Sequence, residues 1–335
     1  MTALLLIDSW KGCLSSEEAE DAARQAFGPE DAVTAIPVSD GGEGFCRILT
    51  DLLGGSFRTV PCCDPLGRPI LARYGIAGDR AILDTASASG LTLLAPHERN
   101  PLLASSFGTG QLLRAALQEP VRKVLVGLGG SATVDGGKGL LEAVGTIPAG
   151  IRLHGFYDTD VPFCGPGGAV EVFAPQKGAT PDMMEELERR MAERKGFMEK
   201  HYGVDVTHMS GAGAAGGIGG ALLALGAQLH RGISSCLDLA DLPEAPDWVI
   251  TGEGCADAQT LTGKVPSGVL ERYRGRSRVI LLAGKVRNRA ALEAAGFEAV
   301  LQVTPDNLPE NEALDPERTK RNIASVLRNY LLEKQ

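Results

Sequence analysis

The sequence predicts an α/β protein: a doubly wound parallel sheet whose two halves lie at the two ends of the chain, with a distinct α/β piece inserted between them. Three observations predict it. Short apolar strands alternate with helix-patterned segments near the N-terminus and again in the last third. Most of those strands run out into polar, glycine-rich loops, such as DSWKG and SDGGEG. The middle of the chain has a different rhythm, with shorter strand-like pieces between turns. The 335 residues favour two domains over one, placed at residues 1–62 with 236–335 and at 63–235. Forty-three glycines and 5% aromatic residues suit a fold with many tight strand–helix turns.

Each element follows from its pattern. TALLLID reads as a buried first strand. SSEEAEDAARQAF reads as a helix, with Ser15 or Ser16 placed to cap it and Glu17 and Glu18 in its first turn. AVTAIPV is a second buried strand, completing a β-loop-α-β passage. PILARYGI and RAILDTA are the shorter strands of the inserted piece. VRKVLV is a β-branched strand before GLGGSATVDGGKG, and LLEAVG after it reads as a helix. TPDMMEELERRMAERKGFMEK is a charged helix whose Met184, Leu187 and Met191 form an apolar stripe for packing. GAGAAGGIGGALLALGAQL opens on glycine and continues as a packed helix. DWVITGEG, RVILLAG and EAVLQVT are three more strands. The last segment is an amphipathic helix with Ile323, Val326, Leu327 and Leu331 on one face.

Composition excludes several classes. The formal net charge of −9 gives no overall attraction to nucleic acid or an anionic membrane. Seven cysteines, an odd number without a CxxC pair, read as free thiols in a reducing cytoplasm. The N-terminal apolar run has no charged leader and is too short for a signal peptide or a span. The oligomeric state is left open.

In open α/β sheets ligands bind beyond the carboxyl ends of the strands. The polar residues there are Asp8, Ser9 and Lys11, then Asp40 and Glu43, then Ser131, Thr133 and Asp135, and finally Glu253 and Asp257. Any one of these carboxylates could simply cap a turn. As a set, four strand ends each deliver an acid, mostly beside glycines. Carboxylates without His or Cys at ligand spacing suit a hard cation, Mg²⁺ above all. Glycine-rich loops opening a helix suit phosphate, and Lys11, Lys138, Lys177 and Lys264 lie near such loops. Together these parts point to phosphoryl transfer, in which positioning and charge neutralisation carry the catalysis. GxxxxGK[ST] is absent, which excludes a P-loop. GxGxxG occurs at Gly211, Gly213 and Gly216, far from the N-terminal βαβ unit, where it reads equally well as close packing at a helix start.

Six blocks in order resemble the bacterial glycerate kinase family of the glycerate 2-kinase type. They are DSWKGCLSSEEAEDAA, PVSDGGEG, GLGGSATVDGGKG, FAPQKGAT, GAGAAGGIG and VITGEGCADAQTLTGKVPSGV. The resemblance implies a discontinuous flavodoxin-like doubly wound domain with a second α/β domain inserted, and an active site in the cleft between them. It implies ATP as donor and D-glycerate as acceptor, with 2-phosphoglycerate the product. By motif it brings Asp8, Ser9, Lys11, Asp40, Glu43, Ser131, Asp135, Asp158, Lys177, Glu253 and Asp257 to that site.

The expected roles follow. Asp8, Asp40 or Asp135 would accept the hydroxyl proton, and Lys11 or another lysine would neutralise the phosphoryl group. Ser9, Glu43, Gly129, Gly130, Ser131, Thr133, Asp158 and Lys177 would bind substrate or phosphate. Glu253 and Asp257 would hold Mg²⁺, directly or through water. Four positions depart from the family pattern: Val134 and Val161 stand for asparagines, Cys255 for an arginine and Phe45 for a threonine. These departures keep two other readings open, a kinase for another small hydroxy acid and a non-catalytic binding protein on the same scaffold. A dehydrogenase built on GAGAAG is a third.

Overall fold

The computed structural model describes all residues except Lys11, Asp40, Glu43, Gly232, Ser234, Ser235, Cys236, Ala240, Asn307 and Gln335, and except the side chains of Glu310 and Asn311. The chain divides into two compact units, one of Met1–Ser39 with Gly232–Gln335 and one of Asp40–Arg231.

The first unit is a five-stranded parallel sheet. Its strands are β1 (Thr2–Ile7), β2 (Ala32–Ala35), β9 (Trp248–Ala256), β10 (Arg278–Val286) and β11 (Ala299–Gln302), in the order β11-β10-β9-β1-β2. Counted along the chain within this unit, that order is 2-1-3-4-5, the flavodoxin-like arrangement, and it reverses between β1 and β9. Ala3 to Ile7 are all buried, so both faces of β1 are covered, as a parallel sheet requires. On one face pack helix α1 (Ser16–Arg24) and the C-terminal helix Pro316–Glu333, which buries Ile323, Leu327 and Leu331 against Leu5, Ile7 and Ile250. Ser15 caps α1 in a reciprocal box with Glu18. Ser16, the other capping candidate, instead donates its hydroxyl to Ile7 O at 2.5 Å.

The second unit carries a six-stranded sheet: β3 (Ser56–Cys63), β4 (Pro69–Ala77), β5 (Arg80–Asp84), β6 (Lys123–Gly127), β7 (Arg152–Tyr157) and β8 (Gln228–Arg231), in that order. The first two pairings are antiparallel and the last three parallel. The chain leaves the first unit at residue 39, whereas the sequence reading placed that boundary at 62. The reason is that β3 pairs along its whole length with β4, and α2 (Phe45–Leu52) buries Phe45, Ile48 and Leu49 in the same unit. Further helices are α3 (Ala86–Ser89), α4 (Phe107–Ala116), α5 (Lys138–Val144), α6 (Ala169–Phe173), α7 (Pro181–Tyr202) and α8 (Ala214–Ala224). Leu187 and Met191 are fully buried on α7, as the stripe predicted, and Met184 packs on the same core.

The GAGAAGG segment is close packing. A Cβ at Gly213 would lie 2.4 Å from Val161 O and Pro162 O, and one at Gly216 would lie 1.9 Å from Thr133 O. No helix among the described residues is long and apolar enough to cross a membrane.

Candidate functional site

Two clusters of candidate residues form, one in each unit. Lys11, Asp40 and Glu43 lie outside the described residues.

The first cluster sits at the order reversal of the five-stranded sheet. Asp8 follows β1 directly and donates its N–H to Gly252 O at 3.0 Å, so it emerges beside Glu253 of β9. Asp8 in turn takes the Ser9 N–H on Oδ1 at 2.7 Å. Glu253 is 6% exposed. Its Oε1 accepts the Thr260 hydroxyl at 2.5 Å and its Oε2 the Lys264 ammonium at 3.1 Å. Burial pushes this carboxyl above its usual range, and Lys264 and Thr260 pull it back part of the way. Asp257 caps the 3₁₀ turn Ala258–Leu261 by accepting the Gln259 N–H at 2.8 Å. Among the described residues no group of three or more His, Cys, Asp or Glu forms a metal cluster. Lys264 on Glu253 makes that carboxylate a poor inner ligand. Glu253 and Asp257 could therefore meet a hydrated cation only through its water shell, the habit of an ion that dehydrates reluctantly.

The second cluster is built on Gly127–Gly139 at the carboxyl end of β6. This loop is ordered from several sides. Thr85 donates its hydroxyl to Gly129 O at 2.7 Å, Leu91 N–H reaches Gly130 O at 2.8 Å, and Ala132 N–H reaches Ser89 O at 2.8 Å. Gly129 has no room for a side chain, because a Cβ there would lie 2.6 Å from the Gly42 Cα. A Cβ at Gly41 would lie 2.3 Å from Phe156 O, at the end of β7. Gly41 and Gly42 of the DGGEG motif therefore lie against the ends of β7 and β6. Asp158 follows β7 and accepts the Thr159 hydroxyl at 3.0 Å.

Asp135 is a clamp within this loop. Its Oδ2 accepts the Ser106 N–H and hydroxyl and the Gly139 N–H, and its Oδ1 accepts the Gly137 N–H. Ser106, which was not singled out in the sequence, also receives the Leu140 N–H on its Oγ at 3.0 Å. It stands at the start of α4 in SSFGTG, and a serine before a helix reads as an ordinary cap. Closeness to glycines in the sequence does not reveal the pairing of Lys264 with Glu253, which depends on the turn after β9 that brings the lysine back to it.

Lys177 is 4% exposed and donates to Ser131 Oγ at 2.9 Å and to Thr133 O at 2.8 Å. Burial pushes its amine down to about 7, with Asp135 acting in the opposite direction. Thr133 is fully buried, and its Oγ1 has no partner among the described residues.

The departures from the family pattern fall mostly in the core. Val134 is 1% exposed and Val161 7%, and Val134 belongs to the main hydrophobic cluster. Phe45 is buried against Phe156, with ring centroids 5.2 Å apart. The space it fills exists because Gly127 lacks a Cβ, which would lie 2.8 Å from the Phe45 ring.

A flavodoxin-ordered sheet with acids at its reversal, and a second sheet carrying an amide-rich loop with a buried lysine, define an α/β phosphotransferase. The comparisons with known proteins agree. The family model for the glycerate kinase family matches residues 3–148 and 146–332. The glycerate kinase of Bacillus subtilis (strain 168) is 36% identical over 98% of both chains, and the glycerate 2-kinase of Escherichia coli (strain K12) is 34% identical over 98% of both. A crystal structure of a glycerate kinase 2 from Salmonella typhimurium LT2 superposes with a TM-score of 0.76 at 34% identity, covering 100% of this chain and 98% of that one. The chain belongs to the glycerate kinase family.

Proposed function

We propose that this protein transfers the γ-phosphoryl group of ATP to D-glycerate, giving 2-phosphoglycerate. The observation that carries the reading is the kinship along nearly the whole chain with proteins named glycerate kinase and glycerate 2-kinase. The geometry supports the same class of chemistry. Phosphoryl transfer asks for oriented donors and charge neutralisation more than for covalent steps, and the Gly127–Gly139 loop offers main-chain N–H groups held in place from several sides.

In this reading the N–H groups around Gly129 and Gly130, with Ser131 and Thr133, receive an anionic group of the substrate, and Asp158 orients a hydroxyl. Asp135 shapes the loop. Asp8, with Ser9 beside it at the sheet reversal, keeps the candidacy for the hydroxyl proton that the resemblance implies. Asp40, Glu43 and Lys11 keep the roles that the resemblance implies. Asp257, and Glu253 through water, would hold Mg²⁺, which neutralises phosphate charge when bound. Val134, on the loop, and Val161, between β7 and α6, are both buried, so where the family pattern has asparagines this chain has core-packing side chains. The six described cysteines are free thiols, which supports a cytoplasmic setting.

The test is ADP release from the purified protein with ATP, Mg²⁺ and D-glycerate. Turnover with glycerate above that with lactate, malate and tartrate bears the proposal out. Turnover only with another acid overturns the substrate, and binding without ADP release overturns the activity.

A further inference from the structure

Lys177 is a buried cation source whose partners are unequal. Thr133 O can only accept, so one N–H of Lys177 is committed there. Ser131 Oγ can either accept from Lys177 or donate to it, and the charge on the lysine decides which. An ammonium has no lone pair, so it donates, and the Ser131 hydrogen must then point away from Lys177. A neutral amine has a lone pair, and the Ser131 hydroxyl can turn inward to it. Among the described residues the Ser131 hydroxyl hydrogen has no acceptor, and the buried Thr133 Oγ1 has no partner. The Ser131 hydroxyl thus has a hydrogen to spare for a ligand, whereas the Thr133 hydroxyl is sealed in the interior beside it.

We propose that Lys177 is a positioning residue that acts through Ser131: as an ammonium it turns the Ser131 hydroxyl into a donor aimed away from itself, so that the Gly127–Gly139 loop takes up an anion and a proton together. The proposal deepens the kinase reading, on which it rests for the identity of the anion. The surroundings allow the change of charge. Asp135 on the loop is the charged group facing Lys177. From α6 comes the Phe173 ring, with its centroid 5.5 Å from Nζ, while Glu171 of the same helix is exposed and accepts the Gly167 N–H. The Arg99 main chain packs against Gly178. With the amine lowered to about 7, the free protein at pH 8 holds Lys177 mostly neutral. An anion on the loop favours the ammonium, so binding draws in a proton.

The experiment is calorimetric titration at pH 6.5, 7.5 and 8.5 in pairs of buffers with different ionisation enthalpies. D-Glycerate is the first probe and sulfate the second; both keep a constant charge over this range. The expected result is uptake approaching one proton at pH 8.5 and little at pH 6.5, with Kd rising about tenfold between pH 7.5 and 8.5. Lys177→Met abolishes the uptake, and Lys177→Arg, charged at every pH, flattens the Kd profile. Ser131→Ala weakens binding most at pH 6.5. A wild-type protein with no buffer dependence and a flat Kd overturns the proposal even if both lysine variants fail to fold, and so does uptake that survives in Lys177→Met. Uptake with sulfate but neither binding nor turnover with glycerate keeps this proposal and rejects the substrate.

Discussion

Ser106 donates both its main-chain N–H, at 2.9 Å, and its hydroxyl, at 2.8 Å, to one oxygen of Asp135. With Gly137 and Gly139 on the same carboxylate, Asp135 ties the start of α4 and the start of α5 to one point. A side chain with this duty fails differently from a proton acceptor. Asp135→Asn puts an amide N–H where donors converge, and the expected loss is about 2–3 kcal/mol of stability, with lowered turnover. Ser106→Ala should lose about 1–2 kcal/mol and part of the activity. Denaturant unfolding beside initial rates checks this. An Asp135→Asn protein as stable as wild type but inactive would make Asp135 the base instead.

Glu20 on α1 is 1% exposed and accepts the Ile7 N–H at 3.3 Å. Burial lifts its carboxyl to about 9. The folded chain therefore keeps a proton that the unfolded chain releases near its ordinary carboxylate range. This contribution to stability is complete at acid pH and declines as pH rises towards 9, by at most about 1.4 kcal/mol per pH unit. Glu20→Gln keeps an acceptor for Ile7 and removes the titration. The variant should gain on wild type steadily from pH 5.5 to 8.5 in thermal unfolding. A constant difference across that range would mean that Glu20 does not hold its proton.

The partly exposed Lys264 pairs with the buried Glu253, and removing the lysine leaves that carboxylate with only the Thr260 hydroxyl among the hydrogen bonds described above. Lys264→Met should cost about 3 kcal/mol, whereas Lys264→Met with Glu253→Gln should recover most of it. If the double variant is as unstable as the single one, the pair is held by packing and not by charge. Chemical denaturation of the four proteins closes the cycle.

Gly137 has φ +69°, and a Cβ there would lie 2.3 Å from the Ala221 Cβ. Gly137→Ala should destabilise by about 2–4 kcal/mol, because it combines left-handed backbone with overpacking against α8. Gly150, with φ +89° and nothing within 4 Å of its Cβ, isolates the backbone cost, so Gly150→Ala should lose about 1 kcal/mol. Melting temperatures of the two variants compare the terms, and equal losses would contradict the packing argument.

Much of the frame was legible because it rests on local patterns. The fully apolar β1, the capped α1, the short apolar β9 to β11 segments and the stripe on α7 each carry their own signal. β3 and β8 carried little. β3, SFRTVPCC, is mostly exposed at the sheet edge and holds its place through pairing with β4, a partner that alternation does not reveal. β8 is four residues long. In the site, the strand-end rule found Asp8, Glu253 and the residues around Ser131. It does not distinguish a ligand group from a scaffold group, since Asp135 in its glycine-rich string and Lys177 in FAPQKGAT read the same whether they face solvent or a neighbouring chain segment. Only the hydrogen bonds, set by chain segments far away in sequence, separate these roles.

The pairing of β1 with β9 joins Leu5 to Ile250 across the whole inserted segment. As the chain leaves the ribosome, strands β3 to β8 find every sheet partner within one continuous stretch. β1 has only β2 until some two hundred further residues have been made. The first sheet is thus completed last during synthesis, and the central junction where Asp8 stands beside Glu253 forms only once β9 has been made, after the strands around Ser131 already have their partners.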